Sequence, residues 1–131
     1  MSGIRVLLDT HTLLWALFQP EKLSDRVRDL LGEPRNIRFV SAASAWEIST
    51  KHRLGKLEMA SPLIDNYKDH LDHFMATELP ISTRHALMAG GFRQNHRDPF
   101  DRILAAQGIL EELPVVTADV ALEQFPVRVV W

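Results

Sequence analysis

A chain of 131 residues, 46% apolar and 24% charged, has the size and balance of one globular domain, which excludes a disordered or low-complexity chain. The absence of cysteine excludes a disulfide framework, a thiolate metal site and a cysteine nucleophile, and it fits a reducing, cytoplasmic setting. A formal net charge of −2 excludes a bulk-basic nucleic-acid binder, so attraction to a polyanion would have to be local, from Lys51-His52-Arg53 with Lys56 or from Arg93 to Arg97 with Arg102 beyond.

The opening residues Met1 to Arg5 lack the apolar stretch of a signal peptide, and no apolar run is long enough to cross a bilayer. Ile4 to Leu8 is a short branched apolar run that predicts a buried strand ended by Asp9. Thr10 to Phe18 predicts a helix closed by Pro20, and Ser24 opens a second helix that stops at Gly32 and Pro34. Asn36 to Val40 predicts the second strand. Ser41 or Ser44 then caps a helix that carries Trp46, Glu47 and Ile48 and runs to about Arg53.

Ser61-Pro62 opens a long predicted helix reaching Phe74-Met75, with Leu63, Ile64, Tyr67 and Leu71 near helical spacing. Leu79-Pro80-Ile81 predicts a brief extended piece, and Ser82 to Ala89 a helix ended by Gly90-Gly91. Asp98-Pro99 combines an acidic N-cap with proline at the first helical position, and the helix it starts runs to about Leu110. Pro114 to Thr117 predicts a third core strand, Asp119 to Gln124 a short helix, and Val127 to Val130 a last strand. This alternation predicts an α/β fold, a mostly parallel central sheet flanked by helices in one domain over residues 1–131.

Open parallel sheets bind ligands beyond the carboxyl ends of their strands. Asp9 follows the first strand directly, Asp119 lies two residues after the third core strand, Glu47 lies early in the helix after the second strand, and Asp98 and Asp101 begin a helix after a loop. Each has a plainer use: Asp9, Asp98 and Asp119 as N-caps, Asp101 in a first helical turn, Glu47 paired with Lys51 four residues on. Yet Glu47 is set among Ala42-Ala43-Ser44-Ala45-Trp46 and Ile48, and Asp101 precedes Ile103-Leu104-Ala105-Ala106. Buried acids are costly unless paired or bound to a cation, and a capping side chain can also be a ligand. His11 and His96 fall near these acids and read as packing or hydrogen-bonding residues. His70 and His73 lack a third zinc ligand and read as a polar face, and Trp15, Trp46 and Trp131 read as core or dimer contacts.

Four stretches in order resemble the motifs of a known family. Val6-Leu7-Leu8-Asp9-Thr10-His11-Thr12-Leu13-Leu14-Trp15 is similar to the opening of a PIN domain, and Ser41 to Ile48 to its second motif with the helical Glu. His96-Arg97-Asp98-Pro99-Phe100-Asp101-Arg102 through Gln107 resembles the third, and Val115-Val116-Thr117-Ala118-Asp119 the fourth. The branch they resemble is the VapC-like toxins of bacterial toxin–antitoxin pairs. The resemblance implies a PIN-like three-layer fold and hydrolysis of RNA phosphodiester bonds to 5′-phosphate and 3′-hydroxyl ends, with Mg²⁺ or Mn²⁺ as cofactor. It also implies homodimers and silencing by a small antitoxin.

Carried over, Asp9, Glu47, Asp101 and Asp119 match the acidic quartet. Asp9, Asp101 and Asp119 hold the metal, Asp98 assists or caps, and Glu47 orients or deprotonates the attacking water. On the substrate side stand Arg97 and Arg102 for the phosphates, with Thr10, Thr12 and Thr117 as hydroxyl contacts. Two other phosphate chemistries fit less well. A haloacid dehalogenase would need an acid where His11 stands, and a receiver domain a phospho-accepting Asp where the second strand leads to Ser41. A catalytically silent binding module, or a PIN protein of RNA processing, is the alternative from another functional class.

Overall fold

The computed structural model describes residues 3–131 and is built on one five-stranded sheet. Its strands are β1 (Arg5–Leu8), β2 (Ile37–Ser41), β3 (Ala76–Leu79), β4 (Val115–Val116) and β5 (Val129–Val130). They lie in the order β3-β2-β1-β4-β5, and every pairing is parallel. Seven helices surround them among the described residues: α1 (Thr10–Phe18), α2 (Asp25–Gly32), α3 (Ala42–Arg53), α4 (Ser61–Asp65), α5 (Tyr67–His73), α6 (Thr83–Gly91) and α7 (Pro99–Leu110).

Alternation along β1 explains the layering. Val6 and Leu8 point to one face and pack with Leu13, Leu14, Val27, Ile48, Leu63 and Leu71, the inner sides of α1 to α5. Leu7 points to the other face and meets Leu104 of α7, Leu113 and Val115. The sheet is therefore covered on both sides, as parallel sheets require, and β1 is apolar throughout its buried length. Gly108 permits the close approach of α7, because a Cβ there would lie 2.6 Å from Val127 Cγ2 and 3.0 Å from the Leu113 carbonyl.

Three expectations shift. The long helix expected from Ser61 is broken at Asn66, whose φ of −133° is not helical, into α4 and α5. The extended piece expected at Leu79-Pro80-Ile81 is β3, which ends before Pro80; proline has no N–H to donate to a ladder. The short helix expected from Asp119 is a 3₁₀ turn over Val120–Gln124 that Asp119 caps.

At the amino end of the sheet, Arg38 of β2 is only 3% exposed. Its guanidinium donates to the carbonyls of Phe74, Leu31 and Glu33, the last turns and caps of α5 and α2. A buried cation at two helix carboxyl termini complements their dipoles and fixes these helices to the sheet. The opposite end, beyond the carboxyl ends of β1, β2 and β4, carries the acids. No helix among the described residues is long and apolar enough to cross a membrane.

Candidate active site

Parallel strands deliver the acids to one place. β1 ends at Leu8, and Asp9 turns the chain into α1. Its Oδ1 accepts the backbone N–H of Thr12 at 2.7 Å, an N-cap, and its Oδ2 accepts the hydroxyl of Thr117. Thr117 follows β4, the neighbour of β1, and its oxygen also accepts the N–H of Asp119 at 3.0 Å. One buried hydroxyl thus fixes Asp9 and Asp119 relative to each other across the sheet. Asp119 caps its own turn, accepting the N–H of Ala121 at 2.9 Å.

The other two segments come from the covering helices. β2 runs into α3, where Glu47 sits one to two turns in, 4% exposed, its carboxylate paired with Lys51 Nζ. Asp98 caps α7 by accepting the N–H groups of Phe100 and Asp101. Asp101, one turn into α7, accepts from His96 Nε2 at 2.8 Å through its Oδ2. Thr10 donates to Ser44 Oγ at 2.9 Å and so ties α1 to α3 between these acids.

Together they enclose a cavity of about 340 Å³. Its walls include Asp9, Glu47, Asp98, Asp101 and Asp119, with Thr10, Lys51, His11 and Trp15 among the rest. The charge balance inside is negative, and one carboxyl is strongly shifted, chiefly by burial. Burial pushes the Asp101 carboxyl up to about 6; the His96 hydrogen bond opposes this, and the charges of Asp98 and Asp119 add to it. Among the described residues, no three His, Asp or Glu side chains converge closely enough to hold a metal ion unaided. The donors are nevertheless all oxygen and carry excess negative charge. That chemistry fits a hard cation that keeps part of its water, the habit of Mg²⁺.

The family model of the PIN domain matches residues 6–127, nearly the whole chain.

The chain belongs to the PIN domain family.

Its fold is also that of solved structures. VapBC2 from Rickettsia felis, bound to a promoter DNA fragment, aligns with a TM-score of 0.66 and 16% identity over 97% of this chain and 98% of that one. DNA-bound VapBC from Salmonella typhimurium gives 0.66 and 18% over 97% of each chain. FitAcB from Neisseria gonorrhoeae gives 0.64 and 20% over 95% of each. Identities this low establish the shared PIN fold. No curated protein matches the chain by sequence.

The five acids expected from the sequence are thus neighbours in this PIN domain, and the capping and cavity-lining uses of Asp9, Asp98 and Asp119 coexist. The basic and hydroxyl residues divide. Arg97 is exposed beside the acids and takes part in none of the ion pairs found among the described residues. Arg102, expected at the phosphates, instead donates to the carbonyls of Ala89, Phe92, Gln94 and His96 at 2.7 to 3.0 Å. It holds the loop before α7. Thr12, expected as a hydroxyl contact, is 0% exposed and donates to the Val116 carbonyl at 2.8 Å, so it joins α1 to β4. Thr10 lines the cavity, whereas Thr117 acts through Asp9 and Asp119.

His96, read from the sequence as a packing or hydrogen-bonding residue near the acids, and Lys51, read as a surface partner of Glu47, each hold a cavity acid. The spacing Glu47–Lys51 carried the signal for the second; what it could not show is that the pair is sunk into the cavity wall. Trp15 also lines the cavity, its ring packed edge-on against Trp131 with centroids 5.8 Å apart. Trp46 is 57% exposed and leans on Phe100, centroids 4.7 Å apart.

Proposed function

We propose that this PIN domain is a divalent-metal-dependent endoribonuclease that acts in the cytoplasm as the toxin of a toxin–antitoxin pair. The observation that carries the reading is the meeting of five acids from four chain segments in one cavity at the carboxyl end of a parallel sheet. Asp9 and Glu47 are buried there, and natural chains rarely bury carboxylates without a partner, a cation or a reaction to use them. PIN domain nucleases generally use divalent metal ions.

Asp9, Asp101 and Asp119 would hold Mg²⁺ or Mn²⁺, with Asp98 assisting from its capping position. The cation, when bound, supplies Lewis-acid stabilisation of the phosphate oxygens and lowers the pKa of water. Glu47 orients the attacking water and accepts its proton, with Lys51 fixing the carboxylate. Water adds at phosphorus as the bond to the 3′ oxygen breaks and that oxygen takes a proton from solvent, leaving a 5′-phosphate and a 3′-hydroxyl, while Glu47 returns its proton to solvent. Arg97, exposed at the rim, is the cation available to an incoming phosphate. A homodimer and a small antitoxin that covers the cavity complete the proposal. The VapBC and FitAcB structures, whose fold the chain shares, support the toxin–antitoxin setting.

The test is cleavage of a labelled RNA pool by purified protein with Mg²⁺, Mn²⁺ or EDTA, beside Asp9→Asn. Cleavage that needs both the metal and Asp9 is expected. Folded, antitoxin-free protein that cuts nothing under any metal would overturn the nuclease reading in favour of a binding module.

A further inference from the structure

His96 precedes Asp101 by five positions, and nothing in α7 itself brings them together. The loop between α6 and α7 does so, and its shape depends on Arg102. The guanidinium donates through Nε to Ala89 O at 2.7 Å and through Nη2 to Phe92 O at 2.7 Å. Through Nη1 it reaches Gln94 O at 2.9 Å and His96 O at 3.0 Å. One planar fork thus gathers the loop's carbonyls from the end of α6 to His96, which a point-charge amine could not span. The guanidinium also stacks 5.8 Å above the Phe92 ring.

Aromatic contacts hold the loop from the other side. Phe92 packs on Phe125 with centroids 4.7 Å apart, and the His96 ring meets Phe125 edge-on at 5.8 Å. Gln94 Nε2 donates to the carbonyl of Gln124, at the end of the turn that Asp119 caps. The imidazole of His96 is therefore placed by its backbone, its packing and its neighbours before it touches Asp101, and it is only 17% exposed in its side chain.

We propose that Arg102 and His96 are positioning residues for Asp101: Arg102 shapes the loop, and His96, so placed, binds Oδ2 and turns Oδ1 of the carboxylate toward the cavity. The inference rests on the metal-dependent reading above and deepens it. An acid one turn into a helix has several rotamers, and holding one of them costs entropy that a fixed donor removes in advance. A hydrogen bond to a ligating carboxylate also sets which oxygen meets the cation, and losing such a partner typically weakens metal affinity roughly 10- to 100-fold.

The experiment measures Mn²⁺ binding to the purified full chain by calorimetry, with the melting temperature of each variant recorded in EDTA. His96→Ala should weaken Mn²⁺ about 10-fold or more. His96→Gln, whose amide nitrogen falls near the place of Nε2, should restore affinity to within about threefold of wild type, a rescue that a purely structural role for the ring would not give. Arg102→Lys should weaken Mn²⁺ as His96→Ala does, and unchanged affinity would remove Arg102 from the arrangement. His96→Ala that binds Mn²⁺ as tightly as wild type refutes the role of His96 while leaving the nuclease reading intact. Wild-type protein that binds no Mn²⁺ refutes the metal-dependent reading itself, and this inference falls with it.

Discussion

Replacing Asp101 by Asn should stabilise the metal-free protein. The side chain sits in the cavity wall with Asp98 and Asp119 nearby, and its carboxyl is raised from the usual 3.8 to about 6, chiefly by burial. The sign follows from comparing folded and unfolded chains. Below about pH 4 the group is protonated in both states and costs nothing. Between about pH 4 and 6 it ionises in the unfolded chain while the folded chain keeps its proton, so folding stability falls as pH rises. Above about pH 6 the loss is complete and constant. A rise of this size corresponds to roughly 3 kcal/mol, and solvent in the open cavity reduces it to about 1 kcal/mol. Asn removes the charge, and its carbonyl oxygen can still accept from His96. In EDTA at pH 7.5 the variant should therefore melt about 2–6 °C higher than wild type. The wild-type decline in melting temperature between about pH 4 and 6 should be shallower in the variant. Millimolar Mg²⁺ or Mn²⁺ should reverse the order by stabilising wild type more, because the cation supplies the charge that the acids lack. Thermal scans across pH, with and without metal, decide it. A variant that melts lower than wild type in EDTA, with the pH slope unchanged, would show that burial and the neighbouring acids do not penalise the Asp101 charge, and the electrostatic account of the cavity would be wrong.

Other perturbations separate residues that the sequence treats alike. Asp9→Asn keeps the oxygen that accepts the Thr12 N–H, so it should abolish RNA cleavage while holding the melting temperature near wild type; Asp9→Ala should also lose about 1 kcal/mol in denaturant titration for the missing cap. Thr117→Val removes the donor to Asp9 and the acceptor for Asp119 in a fully enclosed position, and should cost about 1–3 kcal/mol with reduced cleavage in the same preparation. Arg97→Ala should weaken RNA binding and lower the salt slope of log affinity by about 1, whereas Arg102→Ala should leave four loop carbonyls without their donor and lower the melting temperature, and the opposite pattern would return Arg102 to the phosphate site.

What the sequence made legible were features whose signal is local. The apolar run of β1 is read directly because both its faces are covered, and Asp98-Pro99 marks the start of α7 because a cap and a fixed φ need no tertiary partner. β3 left no such mark: it is an edge strand, Thr77 and Glu78 are exposed, and its place is set by pairing with β2. The break at Asn66 was hidden by apolar residues that keep nearly helical spacing across it. At the site, four of the acids were legible because they follow a strand or open a helix, and Glu47 because it is a carboxylate set among small and apolar residues in the helix after β2; parallel topology brings such positions together. The destination of a long polar side chain is not written in its neighbours. Arg102 stands beside an acid in the chain, yet its guanidinium is satisfied by carbonyls up to thirteen residues earlier. Thr12 is three residues from Asp9 and points into the sheet, away from the cavity, because its partner is a carbonyl of β4.

The contest between capping and function, which the sequence leaves open for each acid, dissolves in the geometry. A carboxylate has two oxygens. Asp9 gives one to the first turn of α1 and the other to Thr117, and Asp98 gives one to the first turn of α7. Asp119 gives one to the turn that follows it. Each cap anchors its side chain at a helix or turn start whose N–H groups carry partial positive charge, which offsets part of the repulsion from the next acid. The two acids that cap nothing have other donors, Lys51 for Glu47 and His96 for Asp101. Each acid is therefore held in place by a donor of this chain, while the cavity as a whole remains short of positive charge. Under the metal-dependent proposal, a site built this way is ordered before a cation arrives and still gains from its arrival. That combination explains why the same residues can look like ordinary caps in the sequence and line one acidic cavity in the fold.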